Sequence, residues 1–176
     1  MIDKYAEKGM LCNIVEVSKC VGGCAPNTLI DLAVIDKELP LACLGAVGDD
    51  SDGAYLIDML KQYHINTEGV KVYKDAVTSF TDVMTVVDTG ERTFFHARGA
   101  NSVFNEKDIE FEKLSADIFH IGYALLLDQF DLEDEVYGTI MAKTLCKIQS
   151  MGIKTSMDLV SEDSDRFSKI IIPSLK

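Results

Sequence analysis

The sequence predicts a three-layer α/β domain on a parallel sheet, with a small β-sheet appendage. Three observations carry that prediction. Hydrophobic periodicity switches repeatedly between two and 3.6 residues along the 176-residue chain, as alternating strands and helices require. The run PLACLGAV (40–47) is almost wholly apolar, which suits a strand covered on both faces. Finally, the paired β-rich runs around Asp88-Thr-Gly-Glu91 have no helix between them, so that hairpin is expected to leave the main sheet.

Each element follows in order. Residues 10–19, MLCNIVEVSK, alternate and read as a strand or ribbon, and CAPNTLIDLAVI after Gly22-Gly23 reads as a helix. The strand over 40–47 is broken by GDDSDG (48–53), whose acids precede a helix running through His64. An Asp or Ser there satisfies orphan helix N–H groups and suits the helix dipole. INTEGV (65–70) reads as a turn. Phe80–Val87 and Arg92–His96 form the two arms of the hairpin, and ADIFHIG (116–122) is a buried strand.

The clearest helical pattern spans Asp128–Gly152. Its acids (Asp131, Glu133, Asp134, Glu135) cluster at the start and Lys143 and Lys147 near the end, complementing the macrodipole. Leu132, Val136, Ile140, Met141, Leu145 and Ile148 form its apolar stripe. A strand over 153–159 and a short helix over 165–172, stopped near Pro173, complete the chain. No repeat, low-complexity segment or Pro/Gly/Ser linker occurs, so one domain with a small appendage is expected.

Composition narrows the function classes. Hydrophobic residues make up 47% and charged residues 26%, an ordinary globular balance. A chain of this mass buries about 70% of its surface and should expose roughly 8,500 Å² when folded. The net charge is −12, which repels phosphate backbones and anionic lipid and argues against nucleic-acid or membrane-surface partners. No run of 18 apolar residues is present, and MIDKYAEKGML lacks the apolar core of a signal peptide. The reading is a cytoplasmic protein. Its five cysteines (Cys12, Cys20, Cys24, Cys43, Cys146) are then reduced, and they show no C-x-x-C spacing. His64, His96 and His120 are scattered singly, so no metal site is expected.

Two segments could carry chemistry. In GGCAPN (22–27) the glycines allow close backbone approach to a ligand, and the Asn27 amide can donate to and accept from sugar hydroxyls. The plainer reading is a glycine turn with Asn27 capping the helix. G-x-G-x-x-G is absent, so this is no dinucleotide fingerprint. The second segment, LGAVGDDSDG (44–53), reads by itself as a strand end and a capping cluster.

Together, GGCAPNTLIDLAVI followed by LGAVGDDSDG resembles the N-terminal signature of the ribokinase-like (PfkB) carbohydrate kinases. The likeness extends over residues 10–172. HINTEGV resembles the family's connection after the second helix, Thr78–Val87 and TGERTFFHARGAN resemble its lid strands, and ADIFHIG resembles the strand ending beside the sugar. The resemblance implies a partial three-layer α/β/α ribokinase-like fold spanning 1–176, with a lid formed by strands at about 10–20 and 78–97. It also implies ATP-dependent phosphorylation of a sugar hydroxyl, with ATP and Mg2+ as cofactors of the complete enzyme, and a homodimer formed through the lid.

Carried over by position, Gly22, Gly23, Asn27, Arg98, Asn101 and Gly122 would bind substrate, Asp49 would be structural and Gly53 a packing position. The family's Asp-Thr-x-Gly-Ala-Gly-Asp segment, with its catalytic base, does not occur in this sequence; nor do the ATP-binding strands or the Asn-x-x-Glu segment associated with magnesium. The base is expected beyond residue 176, so no catalytic residue is assigned and the chain by itself is expected not to turn over. The family's first strand, which ends in an Asp, would lie before MIDKYAEKG, and Asp3 is not assigned its role. Two alternatives remain: a non-catalytic sugar-binding remnant, and a nucleoside kinase of the same superfamily using Phe80, Phe94 and Phe95 as a base pocket.

Overall fold

In the computed structural model, which describes residues 1–160, 162 and 164–175, parallel strands occur as two separate pairs. Helix α1 (Cys24–Ile35) precedes strand β1 (Ala42–Gly48), helix α2 (Ser51–Gln62) and strand β2 (Asn66–Tyr73). β1 and β2 pair in parallel, Leu44 opposite Gly69 and Gly48 opposite Tyr73. The βαβ crossover through α2 is what a parallel pair demands. Asp50 caps α2, its carboxylate accepting from the backbone N–H of Asp52 and Gly53.

The hairpin leaves this sheet as expected. Strands β3 (Phe80–Thr85) and β4 (Arg92–Ala97) are antiparallel, Phe80 opposite Ala97 and Thr85 opposite Arg92, with Gly90 in the turn at a φ of 72°. Three short 3-10 turns (Gly99–Ser102, Glu106–Asp108, Phe111–Lys113) lead to strand β5 (Ile118–Ala124). A two-residue ribbon follows, β6 (Glu133–Asp134) against β7 (Gly138–Thr139), then helix α3 (Ile140–Ser150), strand β8 (Lys154–Leu159) and helix α4 (Phe167–Ser174). β8 pairs in parallel with β5, Ile118 opposite Lys154 and His120 opposite Ser156.

Four expectations are corrected. The segment 65–70 is not a turn: from Asn66 onward it is the start of β2. Its Asn-Gly signal makes a bulge, since Asn66 and Gly69 stand opposite Ala42 and Leu44, and the ladder with β1 overrides the local turn preference. The helix predicted over 128–152 is only α3, 140–150. Asp134 is a turn residue whose carboxylate accepts from the N–H of Val136 and Tyr137 at 3.0 Å, and Gly138 follows at a φ of 85°. Thr139 is the true cap, accepting from Ala142. Leu132 and Val136 are consequently exposed, while Met141, Leu145 and Ile148 are buried.

The ribbon expected at 10–20 is not formed. Among the described residues it contributes one isolated bridge, Ile14 to Ile2, and Ile2 also bridges Val86 beside β3. Nor does Asn27 cap α1. The cap is Gly23, and Asn27 lies within the first turn, its N–H reaching Gly23 O at 3.2 Å.

Two cores result. The larger packs β5, α3, α4 and the 3-10 turns around Phe104, Ile121, Leu125, Phe130, Met141, Ile148 and Ile171. The smaller joins α1, α2, β1 and β2 through Cys43, Leu60 and Ile65. The accessible surface is 11,615 Å², well above the roughly 8,500 Å² of a compact domain of this mass. Val17, Ile35, Val136 and several lid side chains stand in solvent.

Candidate functional site

The head of α1 rests on one face of the β5–β8 pair. Gly23 takes a φ of 91°, a left-handed conformation that side chains resist, and it turns the chain into the helix with no side-chain cap. The first N–H groups of α1 are thereby left unobstructed by a capping side chain, as a ligand with acceptor oxygens would need. Gly22, Gly23 and Asn27 are exposed, and Cys24 is buried.

Strand alternation decides what Cys24 meets. His120 and Gly122 on β5, like Ser156 and Asp158 on β8, are two residues apart and share a face. His120 spans from β8 to the helix: Nδ1 lies 2.7 Å from Ser156 Oγ and Nε2 3.2 Å from Cys24 Sγ. Gly122 leaves room for the thiol. A Cβ there would lie 2.8 Å from Cys24 Cβ, closer still to its sulfur, and 3.4 Å from Asp158 Cβ. Burial, and then the neighbouring Asp158 carboxylate, push the Cys24 thiol up to about 11, so it stays protonated at neutral pH. A buried, protonated thiol is a packing and hydrogen-bonding group, not a nucleophile.

Beyond the end of β5 the charges gather. Arg98, directly after β4, donates to Leu125 O at 2.6 Å, Asp128 at 2.8 Å and Glu162 at 3.1 Å. Arg166 also donates to Leu125 O, at 3.2 Å, and pairs with Glu162 and Asp131. Burial raises the Asp131 carboxyl above its ordinary range, opposed by the Leu125 N–H and by Arg166. Burial acts in the same direction on Glu162, but Ser164, Arg166 and Arg98 hold it below the usual carboxylate value. Arg98 therefore ties the root of the lid to the C-terminal ends of β5 and β8, where α/β folds place ligands.

The residues singled out from sequence separate into groups. Gly22 and Gly23 meet Gly122 through Cys24, with Asn27 exposed one helical turn away. Arg98 stands beside the continuation of β5, engaged with two carboxylates. Asn101 sits in the 3-10 turn packed on β1, and among the described residues its side chain makes no hydrogen bond. His120, Ser156 and Asp158 were not singled out; the signal that could have found them is their i, i+2 spacing on two strands that proved to be neighbours.

Both guanidiniums are already paired, and Asp128, Asp158 and Glu162 repel a polyphosphate. Among the described residues no three His, Cys, Asp or Glu side chains are placed to hold a metal ion. The cluster suits a neutral, hydroxyl-rich ligand and does not fit a nucleotide. No helix among the described residues is long and apolar enough to cross a membrane.

Comparison with known proteins bears on the same region. The sequence model of the pfkB family carbohydrate kinases matches residues 2–165. A probable chloroplastic fructokinase-6 of Arabidopsis thaliana is 30% identical over 114 residues, 63% of this chain and 29% of that protein. A Mus musculus ribokinase is 32% identical over 89 residues, 51% of this chain and 27% of its own. The crystal structure of a Xylella fastidiosa fructokinase with bound ATP superposes with a TM-score of 0.67 at 22% identity, covering 96% of this chain and 52% of that one. The chain thus spans about half the length of that structure, and its matched stretches cover under a third of these two sequence relatives.

Proposed function

The chain belongs to the pfkB family of carbohydrate kinases, and from that premise we propose that it forms the sugar-holding and lid portion of an ATP-dependent sugar kinase. The observation that carries this reading is the unobstructed head of α1, with Gly22, Gly23 and Asn27 exposed above Gly122 at the C-terminal end of β5. Helix N–H groups and a two-way amide can hold several hydroxyls at once, and the lid hairpin rises from the same end through Arg98. In this reading Gly22 and Gly23 make room for the sugar, whereas Gly122, expected from sequence to do the same, has its open side filled by Cys24 and instead seats the head of α1. Asn27 and Asn101 donate to and accept from hydroxyls, while Arg98 positions the lid root.

ATP and Mg2+ would serve the complete enzyme by supplying the phosphoryl group and neutralising its charge. In this reading no described residue serves as the base, and no turnover is expected from the chain alone. The hairpin exposes Val83 opposite Phe94 on one face and Phe80 and Phe95 on the other, apolar surface that supports a homodimer formed through the lid. A cytoplasmic location belongs to the same reading.

Ligand-observed NMR on the full chain tests it. Fructose or ribose should show saturation transfer that Asn27→Ala abolishes, with no phosphorylated product on adding ATP and Mg2+. Binding of sugar unchanged in Asn27→Ala would remove the half-site assignment. Binding of adenosine in place of sugar, lost on Phe94→Ala, would favour the nucleoside-kinase alternative. Sugar phosphorylation by the chain itself would refute the non-catalytic part of the reading.

A further inference from the structure

The two roots of the lid hairpin meet at one corner, and that corner is the segment GDDSDG. Thr78, two residues before β3, is 5% exposed. Its N–H donates to Asp50 Oδ2 at 2.7 Å and its hydroxyl to Asp50 Oδ1 at 2.7 Å, while Thr78 Oγ1 accepts from Gly48 N at 2.9 Å. The same carboxylate caps α2 through Asp52 N at 3.1 Å and Gly53 N at 2.8 Å. On the returning side, Ala100 N donates to Val77 O at 2.8 Å.

Glycines make the contact possible. A Cβ on Gly48 would lie 2.6 Å from both Asp50 Oδ2 and Thr78 N, one on Gly53 2.9 Å from Thr78 Oγ1, and one on Gly99 2.9 Å from Ser79 N. Three glycines from β1's end, α2's first turn and the lid's return are thus closed around a single threonine. Helix capping alone needs only the two N–H groups of α2. The bonds to Thr78 and the closed glycine positions are unexplained by it.

We propose that Asp50 and Thr78 are positioning residues that pin the lid: the hairpin 80–97 extends from a stem fixed to the β1–α2 corner, so this corner sets the direction in which the hairpin leaves the sheet. The bond pattern has a specific consequence. Because Thr78 uses both its N–H and its hydroxyl on Asp50, the stem is held in direction as well as in place. Lid movement must then arise by bending beyond Ser79 and before Gly99, in the hairpin itself, and not by swinging at the root. The inference does not depend on which ligand binds, and it stands or falls apart from the sugar reading.

Residual dipolar couplings on the 15N-labelled full chain test it. In the wild-type protein, backbone couplings at the hairpin base (80–81 and 96–97) should fit the same alignment tensor as β1, β2 and α2, and Thr78→Ser should keep that fit. Thr78→Val, which removes the hydroxyl's bonds to Asp50 and Gly48, should lower the lid's alignment roughly twofold or more, as a hairpin does on gaining microsecond-to-millisecond hinge motion. The couplings of β1, β2 and α2 should keep their own fit, a separation that general loss of stability does not produce. A wild-type hairpin base fitting a separate, weaker tensor overturns the proposal, whether or not any variant folds. So does a folded Thr78→Val protein whose lid alignment is unchanged.

Discussion

Replacing Gly122 by Ala tests the contact on which the candidate site is built. The added methyl carbon would stand 2.8 Å from Cys24 Cβ, about 1 Å inside the separation at which carbon atoms attract. Rotating the Cys24 thiol aside cannot relieve this, because Cys24 Cβ itself is in the way, so the head of α1 or the end of β5 must shift. Overpacking of this kind costs about 1–3 kcal/mol. Displacing the thiol from His120 adds up to about 1 kcal/mol as a lost hydrogen bond. Against this, the alanine stiffens the unfolded chain by about 0.4–1 kcal/mol.

The expected net loss is about 2 kcal/mol, read as a shift of the urea midpoint at constant m-value. The decisive comparison is the same change in a Cys24→Gly background, where both offending atoms are gone. There Gly122→Ala should cost less than about 0.5 kcal/mol, a coupling well beyond the scatter of independent sites. Equal costs in the two backgrounds would refute the reasoning, because Gly122 would then be required for something other than room for Cys24.

Two further outcomes follow from the structure. Asp50 is held well below its ordinary 3.8, at about 2, by hydrogen bonds from Thr78 and then from Gly53 and Asp52. A depressed carboxylate stabilises the fold above its unfolded pKa and loses that contribution as pH falls through its folded one. The stability advantage of wild type over Asp50→Asn should therefore be full above about pH 4 and shrink towards pH 2; an advantage that does not shrink on acidification would contradict the bonds assigned to it. In the larger core, Phe130 is fully buried and its ring lies 5.5 Å from that of Phe104. Phe130→Ala should cost about 3–5 kcal/mol, measured by urea denaturation, whereas Val136→Ala, at a position that the sequence places on an apolar helical stripe and the structure leaves exposed, should change stability by less than about 0.5 kcal/mol.

The contrast between Phe130 and Val136 shows where reading the sequence stops. Local signals were sufficient for α1, α2, β1, β5, β8 and the hairpin, because each has a periodicity or an apolar run that one neighbour is enough to satisfy. The pattern of acids before residue 140 was equally strong and still misleading. An Asp can close a turn as readily as it can cap a helix; here Asp134 closes the turn, and Gly138, at a φ of 85° and with Pro173 against it, separates that turn from α3. β2 was hidden for the opposite reason: its Asn-Gly pair signals a turn, and the partner that makes it a strand lies over 20 residues earlier in β1.

The candidate site divides along the same line. GGCAPN, GDDSDG and HIG were visible as motifs, because glycine spacing and polar punctuation survive in one dimension, and so was the family they resemble. That Cys24 fills the space over Gly122, that His120 joins α1 to β8, and that Arg98 is spent on Asp128 and Glu162 were not visible. Those contacts are made between residues 30 to 96 positions apart. The contacts of His120 exist only because parallel pairing sets it opposite Ser156, with the head of α1 laid on the same face. The sequence by itself determined which backbone could turn, extend or coil; which side chains face one another was decided by the register of the two strand pairs and by the helix laid across one of them.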